Sequence, residues 1–78
     1  MHVIYDENQT TIKVSISEKM NNKQCKLQIY GTNGNMLKQI ILKGDESSFN
    51  ISDIGHGTYI AQLIIEGKQK ETTKVIVK

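Results

Sequence analysis

The 78 residues are 37% hydrophobic and 23% charged with a formal net charge of +2, enough chain for one compact core and too little for two. All ten basic residues are lysine and tryptophan is absent, which argues against sequence-specific nucleic-acid reading, a task that favours arginine forks and grouped aromatic side chains. No apolar run approaches the roughly 18 residues of a membrane span; "MHVIYDENQ" lacks the basic-then-apolar order of a signal peptide, so any such signal is expected upstream.

The apolar period is 2 along nearly the whole chain, which predicts an all-β fold. "HVIY" reads as a first short strand with Val3 and Tyr5 on one face, closed by the polar turn "DENQ". "TTIKVSIS" is a second, with Ile12, Val14 and Ile16 inward against Lys13, Ser15 and Ser17. "EKMNNKQ" reads as a loop. The third strand, "CKLQIYG", puts Cys25, Leu27 and Ile29 on one side and Lys26, Gln28 and Tyr30 on the other. That phase makes the single cysteine a small buried hydrophobe rather than a reactive thiol.

"GTNGN" is the clearest hairpin signal, because Asn33-Gly34 tolerates the positive φ of a tight turn. Its partner strand, "MLKQIILK", carries apolar residues in both phases, so the inward face stays open. "KGDES" is a turn and "SFNIS" a fifth strand with Phe49 and Ile51 inward. "DIGHG" leads into "TYIAQLIIE", which aligns Tyr59, Ala61, Leu63 and Ile65, and "GKQK" turns the chain into "ETTKVIVK". Seven strands spaced roughly 8–12 residues apart and joined by short polar turns predict a small antiparallel sandwich, with a closed barrel as the alternative. Lysines facing outward serve to blunt the edges of a fold with no proline.

No catalytic or metal-binding constellation emerges. Asp45, Glu46, Asp53 and His56 are the densest polar grouping, but "SFNIS" spans about 17 Å of strand and sends the two turns to opposite ends of the fold. His2 and His56 lack the spacing of zinc ligands and are expected as exposed loop histidines. Ser47, Ser48 and Ser52 have no strained elbow to present a nucleophile to His56 and read as turn formers. Asn8-Gln9-Thr10 and Asn50-Ile51-Ser52 match a glycosylation acceptor pattern that short sequences meet by chance. Gly57 is expected to relieve a kink at the entry to the long strand, with Tyr59 capping the core by its ring and sending its hydroxyl to a polar partner.

The order "VSIS", "CKLQIYGTNGNMLKQ", "SFNISDIGHGTYIAQLIIEGKQKETTKVIVK" resembles the C-terminal sorting domain of the type IX, or Por, secretion system. Ile29-Tyr30 leads to a turn containing Gly34, as in that family. Ile51, Ser52, Ile54, Gly57 and Tyr59 occupy its "l-s-x-L-x-x-G-x-Y" positions, and "TTKVIVK" matches its basic last strand. Family members commonly begin with a "YPNP"-like segment where this chain has "YDEN" at Tyr5–Asn8.

The resemblance implies a seven-stranded antiparallel Ig-like β-sandwich, residues 1–78, at the end of a larger secreted protein of a Bacteroidetes bacterium. It implies a non-catalytic domain without cofactor or metal that takes an upstream cargo from the periplasm to the outer-membrane translocon and is cleaved by a sortase-like peptidase, often with attachment of the cargo to surface lipopolysaccharide. It places the recognition surface on the last two strands, at Gly57, Tyr59, Lys74 and Lys78, with Val75 and Val77 inward. The alternative reading is a passive Ig-like spacer or carbohydrate-associated module. Its sugar-stacking residue would be Tyr30, the aromatic out of phase with its strand's core face.

Overall fold

Alternation of apolar and polar residues becomes seven strands in the computed structural model, which describes residues 1–16 and 24–78. These are β1 (His2–Asp6), β2 (Thr11–Ser15), β3 (Cys25–Gly31), β4 (Met36–Leu42), β5 (Glu46–Asn50), β6 (Gly57–Ile65) and β7 (Lys68–Val77). The loop read at "EKMNNKQ" lies, apart from Gln24, outside the described residues. One antiparallel sheet has the order β1-β2-β5 and the other β4-β3-β6-β7. Two sheets with no strand in common make a sandwich, not a closed barrel. The order is that of an Ig-like fold in which the fourth strand pairs with the third rather than with the fifth.

Period-2 phasing decides what the sheets enclose. Ile12, Val14 and Ile16 face Cys25, Leu27 and Ile29, Tyr59, Ala61, Leu63 and Ile65, and Val75 and Val77, all buried. The burial of Cys25 follows from its place in that phase. At about 25 cal/mol per Å² of apolar surface removed from water, this aliphatic interior is the main stabilising term. In β4 the register with β3 resolves the open face: Ile40 and Leu42 turn inward and Ile41 outward. A bulge opposite Ile29-Tyr30 lets both apolar phases coexist in one strand.

Several turns and element ends differ from the sequence reading. β5 spans Glu46–Asn50 rather than 48–52, because Asn50 Oδ1 accepts hydrogen bonds from the Ser52 amide and hydroxyl and turns the chain. Phe49, as expected, packs against the core and is half-buried, while Ile51, just past the strand, is fully buried and its amide donates to the Thr10 carbonyl. The last hairpin turns at Glu66-Gly67, not at "GKQK". Both residues have positive φ (52° and 78°) between the paired Ile65 and Lys68, the requirement of a two-residue turn whose twist matches its strands. In the β3–β4 turn only Gly34 has positive φ (89°); Asn33 instead accepts a hydrogen bond from the Asn35 amide.

Candidate functional site

The entry to β6 is organised by short-range chemistry. After buried Ile51, the Ile54 amide donates to the Ile51 carbonyl at 3.1 Å, and Gly55 takes φ 78° to complete the turn. The chain then runs through His56 and Gly57 into β6, where Tyr59 points inward with 7% of its surface exposed. Its hydroxyl lies 2.7 Å from the Ile54 carbonyl, 2.9 Å from that of Gly55 and 3.2 Å from that of His56. One hydroxyl proton serves one acceptor at a time, so Ile54 is the principal partner and the other two hold alternative positions. This is the tyrosine corner of Ig-like sandwiches.

Gly57 belongs to the same device. A Cβ there would lie 3.4 Å from the Tyr59 hydroxyl and 3.5 Å from Cζ, which is close but tolerable. Its φ of 148° is the stronger constraint, since L side chains rarely adopt it. The two residues of the "GTY" motif thus shape the corner together, one through its backbone and one through its ring.

Lys74 and Lys78 occupy a different surface. Lys74 pairs with Ile60 of β6 in the register of the outer face and is exposed; Lys78 follows in the same phase, also exposed, its carbonyl 3.4 Å from the Tyr5 hydroxyl. Val75 and Val77 between them are buried. Four residues grouped by sequence resemblance therefore divide into a corner pair, Gly57 and Tyr59, and an outward pair, Lys74 and Lys78, on adjoining strands.

The corner is tied to β4 by a pair not anticipated from the sequence. Lys38 Nζ sits 3.0 and 3.2 Å from the two carboxylate oxygens of Asp53, and the hydrogen bond from Lys38 holds the Asp53 carboxyl below its ordinary range. Only the fold brings the two residues together, because β3–β4 and the β5–β6 connection are distant in sequence. Asp45 and Glu46 stand at the Ser15 end of β5, while Asp53 and His56 lie beyond its Asn50 end, so these four do not form one site. Ser52 and His56 line the same cleft, of about 360 Å³, with Tyr5, Thr10 and Lys78. The Ser52 hydroxyl nevertheless donates to Asn50, not to the imidazole. His2 is exposed on strand β1 rather than in a loop, and His56 is exposed in the corner turn. Tyr30 is half-buried, and its hydroxyl donates to Gln28 Oε1 at 2.9 Å.

Fold and corner define a small Ig-like β-sandwich module with its longest hairpin, β6–β7, at the C-terminal side. The family model described as "secretion system C-terminal sorting domain" matches residues 6–78, and the chain belongs to that family. Neither a search of curated proteins nor a search of solved structures found a match. Membership makes the chain a C-terminal sorting signal for type IX secretion, hence part of a secreted cargo destined for the cell surface or beyond, and a module that interacts with the type IX machinery. Domains of this family are in general non-catalytic.

Proposed function

We propose that the chain is the single terminal domain of a larger secreted protein, with no catalytic activity of its own. It delivers an upstream cargo from the periplasm to the outer-membrane translocon and is then removed by a sortase-like peptidase. Gly57 and Tyr59 shape the terminal hairpin, and Lys74 and Lys78 present the feature that the machinery reads. The observation that carries this reading is the alternation at the end of β7, where Val75 and Val77 are committed to the core and Lys74 and Lys78 are left to solvent. On this edge strand the lysines blunt further strand pairing, and the same exposure leaves them open to a partner.

The test is a periplasmic reporter fused ahead of residues 1–78 in a type IX-competent bacterium. The reporter is expected in the medium or on the cell surface, with its mass reduced by removal of the domain. A reporter that stays in the periplasm at the level of the unfused control rules the reading out. Export at full mass removes only the cleavage step.

A further inference from the structure

The outer faces of the two sheets differ in kind. On the three-stranded sheet, register aligns Ile4, Lys13 and Ser48 across the middle, with Asp6 and Glu46 toward opposite ends, and Lys13 stands 4.0 Å from Asp6. That is an ordinary solvated surface of mixed sign. On the four-stranded sheet, the middle row is Gln39, Gln28, Gln62 and Thr72. One flanking row is Met36, Tyr30, Ile60 and Lys74; the other is Ile41, Lys26, Ile64 and Gln69. Ile76, beside Thr58, extends the first of these toward the chain end. Met36, Ile41 and Ile76 are each at least half exposed (51%, 59% and 54%). None of these aligned positions is acidic.

We propose that the outer face of the four-stranded sheet is a protein-docking surface for a partner that offers apolar side chains within an acidic rim. The proposal rests on the sorting reading above and extends it from two lysines to a whole sheet face that includes Lys26, Ile41 and Ile76. Charge complementarity selects the partner: Lys26 and Lys74 face outward, Lys78 follows in the phase of Lys74, and the aligned rows of the described residues hold no acidic side chain, so an acidic rim is attracted. A second copy of the chain is the wrong occupant, because the aligned rows of the described residues bring no acidic side chain to meet their own lysines. An anionic membrane is also a poor match, since polybasic lipid recognition uses clusters of about 4–8 cations, whereas these are few and spread around apolar side chains. The glutamine row suits a protein. Gln28 Nε2 already donates to Gln39 Oε1 at 2.9 Å, which orders amides for directional hydrogen bonding to another polypeptide.

The experiment uses the purified chain, unaltered and as K26E/K74E, I41S/I76S and, on the opposite sheet, I4S and K13E. Three defined probes are used: detergent-solubilised type IX translocon purified through a tagged component, vesicles containing lipopolysaccharide, and the chain itself by sedimentation. Reporter fusions of the same variants are scored for export. Thermal melts verify folding, and K26Q/K74Q replaces the charge reversal should that variant melt early. The expected result is translocon binding that weakens about tenfold or more in K26E/K74E and in I41S/I76S, falls with added salt, and is unchanged in I4S and K13E.

Binding to the translocon that ignores the four-stranded face, binding to vesicles alone, self-association through this face, or binding to none of the probes overturns the proposal. Export that survives every substitution on this face also overturns it, and with it the role given to Lys74, while leaving the domain's sorting role itself intact. Face-dependent translocon binding without export supports the docking surface and removes the sorting reading.

Discussion

Tyr59 acts on the fold through one hydroxyl and one ring, and the two contributions separate experimentally. Tyr59→Phe keeps the buried ring and removes the proton shared among the carbonyls of Ile54, Gly55 and His56. A loss of about 1–2 kcal/mol is expected, measured as a lower urea midpoint at constant slope. Gly57→Ala adds a Cβ that the space nearly accepts and the backbone does not, so about 1–3 kcal/mol of strain is expected in the same titration. Asp53 is a case of sign rather than size. Its carboxyl is depressed by the hydrogen bond from Lys38, so the pair stabilises the fold above the ordinary carboxylate range. That contribution is lost as pH falls through the lowered value. Asp53→Asn should flatten the acid limb of a stability-versus-pH curve, and added salt should diminish the difference because the pair is exposed.

The terminal hairpin shows at the scale of elements what alternation can and cannot specify. Glu66 takes φ 52° in a two-residue turn that favours Asn-Gly. Glu66→Asn should therefore stabilise the domain by about 0.5 kcal/mol, read as a raised melting temperature. The inward sets of β2, β3 and β6 were legible in the sequence, since strict alternation of Ile, Val and Leu with polar residues has only one burial solution. The inward face of β4 was not. Both of its phases are apolar, and the choice between Ile40 and Ile41 is made by pairing with Leu27 and Lys26, a non-local contact. The Glu66-Gly67 turn was also hidden, because a glutamate at positive φ carries little local signal, whereas "GKQK" has the composition of a turn. For the candidate site, the roles of Gly57 and Tyr59 were visible as a kink and a capping ring. The three carbonyl partners and the Lys38–Asp53 tie depend on a corner that only the assembled sandwich creates.

The whole molecule is a small core with little reserve. Natural domains gain roughly 0.05–0.15 kcal/mol of stability per residue, which for this length amounts to about 4–12 kcal/mol. Leu27→Ala or Leu63→Ala, each deleting a fully buried side chain, should cost about 2–5 kcal/mol and leave a large unfolded fraction at growth temperature by circular dichroism. We infer a division of labour in which the interior and the corner make the fold, while the outward lysines of the last strand carry the address. Its most direct test is the fraction of a fused reporter found outside the cell for the Y59F and K74E/K78E variants, each with its melting temperature measured. Y59F, less stable but folded at growth temperature, is expected to export close to the unaltered level. K74E/K78E, as stable as the original, is expected to leave the reporter in the periplasm. Normal export by K74E/K78E would rule out the lysines as the address.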